Sequence, residues 1–269
     1  MGVVGRITMG RRLVFDLETK KTFDQVGGQA NVHLLGISVC GLYDYSTNKY
    51  EVYREEELTA MEELFREAEL LIGFNSKHFD NRVLQPYFHR VKLADIPHHD
   101  ILEEIVNKIG HRVKLESVAQ STLYEGKSGS GLDALVYYNE GDWNSLIKYC
   151  LDDVRITREV YEYGQRHGYL WYQKEGKPAQ IPVDWVKYPT ILEQLAHALS
   201  ERKQIEITYI KVANGTVIRE QRVMDIRAMD KEKIRAYCNN SNDERIFSIS
   251  KIINVKVVGD MSSYQDALI

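Results

Sequence analysis

Cysteine is scarce in this chain, as are long apolar runs and any excess of positive charge. The three cysteines, Cys40, Cys150 and Cys238, are odd in number and widely spaced, which makes a poor disulfide framework and leaves no Cys-x-x-Cys pair for a zinc ion. Such usage fits a reducing compartment. No stretch approaches the ~18 apolar residues needed to cross a bilayer, and the first dozen residues, with Arg6, Arg11 and Arg12, lack the apolar run of a secretory leader. Arg6 also stands where a Met1-Gly2 start would need Ser or Thr for myristoylation. The expected location is the cytoplasm, with no membrane partner. The net charge of −4 gives no overall signature of a nucleic-acid binder, so a site of that kind must concentrate positive charge locally or recruit metal ions.

What is present is ordinary for a folded protein: 43% hydrophobic and 28% charged residues over 269 positions, enough for one medium domain and one small one. Alternating and β-branched patterns predict strands opening at residues 12–15 and covering 34–43 and 49–53, with Asn48 in the turn of a hairpin. Residues 56–69 carry Leu58, Met61, Phe65 and Ala68 on one helical face, and the apolar run 70–74 reads as a buried parallel strand. Helical patterns follow at 80–87, 101–109, 115–123 and 132–138, then a long helix at 142–164. Strands interleaved with helices describe an α/β domain with a mixed sheet. From 168 to 189 the pattern breaks into aromatic and proline-bearing extended chain, read as a linker. A helix at 190–202 and strand patterns at 205–212, 216–222, 224–228, 233–238, 245–248 and 252–258, with Asn214-Gly215 as a hairpin turn, predict a small antiparallel barrel.

Strand alternation puts Asp16 and Glu18 on one side of the first strand, where two adjacent carboxylates repel unless cations lie between them. Their oxygens suit Mg²⁺ or Mn²⁺. The same dipeptide spacing also describes a solvent-facing pair at a strand end. Asp80 follows the apolar strand in Phe74-Asn75-Ser76-Lys77-His78-Phe79-Asp80 and could serve equally as a helix cap. Tyr149 and Asp153, four apart on the long helix, share one face and can address one point, although such pairs also occur on wet helix surfaces. His98 and His99 are adjacent and diverge on most backbones, which argues against a zinc pair. The stretch 126–131, Gly-Lys-Ser-Gly-Ser-Gly, lacks the residue order of a phosphate loop and reads as a mobile loop.

Together these segments resemble the DEDD exonucleases of the DnaQ-like, RNase H-like superfamily over about residues 10 to 167. Phe15-Asp16-Leu17-Glu18-Thr19 is similar to the first motif of that family. Phe74-Asn75 through Phe79-Asp80 is similar to the second, and Tyr149-Cys150-Leu151-Asp152-Asp153 to the third, in its tyrosine subtype because Lys148 stands where the other subtype has His. The resemblance implies an RNase H-like fold and 3′→5′ hydrolysis of DNA or RNA to nucleoside 5′-monophosphates, with two Mg²⁺ or Mn²⁺ ions as cofactors. It implies that Asp16 bridges both ions, that Glu18 and Asp153 hold the ion beside the attacking water, that Asp80 reaches the second ion through water, and that Tyr149 orients the water. Asn75 and His78 become candidates for substrate contact.

The C-terminal segment resembles the WYL domain, a small Sm-like or SH3-like barrel, through Ile234-Arg235-Ala236-Tyr237-Cys238, Arg245-Ile246-Phe247 and Lys251-Ile252, with Arg222 in the preceding strand. The tripeptide that names the family falls on Glu232-Lys233-Ile234, where only the last position is apolar. The resemblance implies binding of nucleic acid or a nucleotide-like ligand, with Arg222, Arg235 and Arg245 as candidates on one face. The expected division is residues 1–187 for the RNase H-like exonuclease domain with its linker and 188–269 for the WYL-like domain. The alternative function is a catalytically silent nucleic-acid-binding or ligand-sensing regulator.

Overall fold

A computed structural model describes residues 11–126, 131–187 and 189–261. The leading segment with Arg6, and residues 127–130 of the glycine-serine loop, lie outside these. The chain divides into two compact units, one running to Leu115 and resuming for the segment that ends at Glu159, the other made of Glu116–Gly126 and the chain from Val160 onward.

The first unit is built on a mixed five-stranded sheet in the order β3-β2-β1-β4-β5. Its elements are β1 (Arg11–Thr19), β2 (Ile37–Asp44), β3 (Lys49–Arg54), α1 (Leu58–Arg66), β4 (Ala68–Gly73), α2 (Asp80–Leu84), β5 (His98–Asp100), α3 (Ile101–Ile109), α4 (Leu115–Leu123), α5 (Gly131–Glu140) and α6 (Trp143–His167). The division between the units falls within α4 and α6. β1 pairs antiparallel with β2 and parallel with β4, as an RNase H-like mixed sheet requires. Alternation sends Leu13, Phe15 and Leu17 into a core with Met61 and Phe65 of α1, where Phe15 meets Phe65 edge to face at 5.2 Å. On the other face Val39 packs with Leu146, Tyr149 and Cys150 of α6. That face also receives Asp16, opposite Gly41, and Glu18, opposite Val39.

Three local readings change. Leu34 belongs to a 3-10 helix (Gln29–Leu34) and not to a strand; Gly36, at φ 70°, turns the chain before β2 starts at Ile37. The helix expected at 80–87 stops at Leu84, and Pro86 enters a short 3-10 turn instead. β5 has only three residues, two of them histidines, too short for a periodicity to show.

In the second unit the expected linker is a hairpin of β6 (Tyr169–Lys174) and β7 (Lys177–Pro182), turning through Glu175 and Gly176, both at positive φ. Thr122 of α4 secures it, its hydroxyl accepting from the Trp171 N–H at 2.9 Å and donating to the Trp171 carbonyl at 3.1 Å. α7 (Ile191–Ser200) begins at a capping box of Thr190 and Glu193 and covers an antiparallel sheet in the order β11-β10-β9-β8-β12. The strands are β8 (Lys203–Ala213), β9 (Thr216–Met229), β10 (Lys233–Cys238), β11 (Asp243–Ser248) and β12 (Ile252–Asp260). β9 is one 14-residue strand where two were expected. After α7 the strands form an all-antiparallel sheet as expected, but among the described residues the outer strands β11 and β12 are not paired with each other, so the closure of the expected barrel is not seen. No helix of the described residues is long and apolar enough to cross a membrane.

Candidate metal centre

Two elements from distant parts of the sequence supply three carboxylates to one point. Asp16 and Glu18 leave β1 on the face toward α6, and α6 approaches because Gly41 on β2 has no side chain. A Cβ there would lie 3.0 Å from Cys150 Sγ and 3.1 Å from Val154 Cγ2. The Cys150 thiol donates to the Asp16 carbonyl at 3.6 Å, a further tie between helix and strand. One turn beyond Tyr149, Asp153 then joins Asp16 and Glu18, and the ligand oxygens of all three lie within 4.8 Å of one another. Glu18 and Asp153 are 8% and 4% exposed. Like charges this close and this buried destabilise the fold unless a cation sits among them, and an all-carboxylate donor set fits a hard divalent ion.

The negative charge registers on neighbouring groups. Burial, followed by Asp153, Glu18 and Asp16, drives the Tyr149 phenol well above its ordinary pKa, and its side chain hydrogen-bonds to Asp153. The phenol therefore stays protonated and acts as a donor. Cys150 is pushed up by burial and then by Asp16 and Glu18. Cys40 is pushed up by burial, then by Asp80 and Asp16, so Asp80 stands within electrostatic reach of the same thiol as Asp16. Asp80 itself is buried at the first position of α2 and lies outside the three-carboxylate group.

Of the other candidates in this unit, Asn75 has a left-handed backbone at φ 68°, and its side-chain oxygen accepts from Arg112 Nη2 at 2.7 Å. His78 is exposed on the loop before Asp80. The sequence marked His98 only as one of two adjacent histidines and did not mark Asp100. The buried Asp100 carboxylate accepts from the N–H groups of Asn75 and Lys77 at 2.8 and 2.9 Å and from Leu102 and Glu103 at 3.0 and 3.2 Å. Its place before the helical pattern at 101–109 announced a cap; nothing in the sequence announced the loop it also holds.

The three arginines of the second unit do not share a face. Arg222 is engaged by Glu220, with its Nη1 3.9 Å from Cys238 Sγ. Arg235 pairs with Ile246 and Arg245 with Ala236, so these two point to opposite sides of the β10–β11 ladder. A cavity of about 210 Å³ lies elsewhere, lined among others by Tyr169, Trp171, Lys231, Lys233, Ser248 and Ser250.

A central strand with two carboxylates, met by a helix that brings a third, defines the class: a mixed-sheet domain with an acidic cluster that could hold a metal ion. A model of the RNase_H superfamily matches residues 13–165, more than half of the chain, and the chain belongs to that superfamily. Its members are usually hydrolytic nucleases that use divalent metals, which suggests nucleic-acid-related nuclease activity for the N-terminal region. No curated protein matches the chain. Among solved structures it is similar to Proteasome accessory factor B/C (PafBC) of Arthrobacter aurescens at 19% identity and a TM-score of 0.24, over 58% of this chain and 22% of that one. The chain thus spans under a quarter of that protein's length.

Proposed function

We propose that the chain is a metal-dependent 3′–5′ exonuclease of the DEDD type, tyrosine subtype, acting on single-stranded DNA or RNA. The observation that carries this reading is the convergence of Asp16, Glu18 and Asp153 within 4.8 Å, beside Tyr149, whose side chain hydrogen-bonds to Asp153. Asp16, Glu18 and Asp153 would hold one Mg²⁺ or Mn²⁺, and Asp80, with Asp16, a second. Bound divalent ions lower the pKa of an attacking water and offset the charge that develops on the leaving oxygen. Tyr149 would position the nucleophile through a hydrogen bond from its hydroxyl. The catalytic role falls to the carboxylates of residues 1–187 and an accessory binding role to the WYL-like residues 188–269, whose Lys231 and Lys233, with Tyr169 and Trp171 of the β6–β7 hairpin, line the cavity that suits a nucleotide-like ligand better than the dispersed Arg222, Arg235 and Arg245. The 3′→5′ polarity rests on the motif resemblance alone.

The test is digestion of 5′-labelled single-stranded and duplex DNA and RNA by the full chain with Mn²⁺. The expected product is a ladder shortening from the 3′ end, abolished by EDTA. Tyr149→Phe should slow it by roughly ten- to a thousandfold, because one positioned donor is lost and every carboxylate remains. Intact substrates of all four kinds would overturn the assignment, and a single internal cut would overturn its exonuclease part.

A further inference from the structure

Asp80 is reached through residues 74–79, which form no strand or helix. A metal ligand must be held to within roughly 0.5 Å of its working place, and an unsupported loop does not provide that. Here β5 does. Asp100 Oδ1 accepts from the Asn75 N–H at 2.8 Å and its Oδ2 from the Lys77 N–H at 2.9 Å. His98 uses both ring nitrogens on the same segment, Nε2 with Ser76 Oγ at 2.7 Å and Nδ1 with Asn81 Nδ2 at 3.2 Å. Ser76 fits into the hollow left by Gly73, where a Cβ would lie 2.2 Å from Ser76 Oγ. Every tie grips residues within five positions of Asp80, before and after it.

We propose that Asp100, assisted by His98, is a positioning residue that sets the Asp80 carboxylate in place for its metal ion. The idea rests on reading Asp80 as a ligand. Asp100 also caps α3 through Leu102 and Glu103, so its burial has a ready local explanation. The two roles overlap at Oδ1, which takes the cap and the Asn75 N–H, whereas Oδ2 serves the loop through the Lys77 N–H. Serine caps a helix about as well as aspartate but is too short to reach both loop N–H groups, and asparagine keeps Oδ1 while presenting an NH₂ to the Lys77 N–H.

The experiment uses the full chain and measures Mn²⁺ binding by the EPR signal of the free ion, alongside kcat and KM on a short oligonucleotide. Asp100→Ser and Asp100→Asn should each weaken one of two Mn²⁺ ions by about 10- to 100-fold. Either should lower kcat at fixed Mn²⁺ in the same range, leave KM within about twofold, and recover part of kcat at high Mn²⁺. Adding either change to Asp80→Asn should produce no further loss of metal, because both act through one group. If Asp100→Ser fails to fold, Asp100→Asn decides alone. Wild-type affinity for both ions and wild-type kcat in a folded variant would make Asp100 a helix cap only, with the nuclease reading intact. A wild-type chain that binds no Mn²⁺ would remove the nuclease reading together with this one.

Discussion

At the scale of single residues, the decisive contrast is between Asp152 and Asp153. They lie ~100° apart around α6, so one faces the carboxylate group and the other does not. Asp153 is buried beside Asp16 and Glu18; Asp152 is part-exposed and paired with Arg155 at 2.8 Å. An exposed ion pair is worth ~0–1 kcal/mol, whereas a ligand charge acts directly on the bound ion. Asp153→Asn should therefore lower Mn²⁺-dependent cleavage at least roughly a hundredfold with the melting temperature kept or raised, since a repelling charge is removed. Asp152→Asn should stay within about twofold of wild type. Equal losses in a labelled-oligonucleotide assay would mean that the wrong face of α6 has been assigned to the site. Tyr149 was legible by its spacing from Asp153. Asp100 was not, because the N–H groups it holds come from a loop about 25 residues earlier.

Among the elements, α6 is positioned by what β2 lacks. Gly41 is opposite Asp16 in the β1–β2 ladder, and the space its side chain would fill is taken by Cys150 and Val154. Gly41→Val would force α6 outward. The strain should cost about 1–3 kcal/mol, and the larger consequence should be functional, because Asp153 moves with the helix. We expect kcat to fall by about tenfold or more, and Mn²⁺ affinity with it, while the chain still unfolds cooperatively. Wild-type metal affinity in the folded variant would show that α6 can be displaced without opening the site. The hairpin of β6 and β7 teaches a related lesson. Its residues read as a linker because proline and aromatic side chains obscured the alternation, and the anchoring bond from Thr122 comes from another helix.

For the whole molecule, three histidines set the response to acid. Burial holds His98, His99 and His167 down to about 4, with His167 Nε2 against the Ile252 carbonyl at 2.8 Å. In the unfolded chain each titrates near 6.5, so between these values the unfolded state binds more protons and stability falls as pH falls. Each group contributes up to roughly 3 kcal/mol that is present above pH 6.5 and lost on the way to pH 4. Glu62, its pKa lowered by hydrogen bonds from the Arg90 and Val91 backbone against the opposing effect of burial, adds a further loss at lower pH. The urea midpoint should drop clearly between pH 7 and pH 5. A level profile across that interval would mean that the imidazoles are solvated.

By itself the sequence determined strands β1 to β4 and the main helices, the alternation that puts Asp16 beside Glu18, and the helical spacing that puts Tyr149 one turn from Asp153, because each depends only on local periodicity. Tertiary structure alone decided that these pairs meet. Asp16 and Asp153 are more than 130 positions apart, and their approach depends on strand register, on the absent side chain of Gly41 and on the packing of α6. It also decided that Arg222, Arg235 and Arg245 do not act as one surface, since a face of a sheet exists only once strands are paired. The dock under Asp80 belongs to the same category: Asp100 and His98 have no pattern of their own, and they acquire a role only when β5 pairs beside β4.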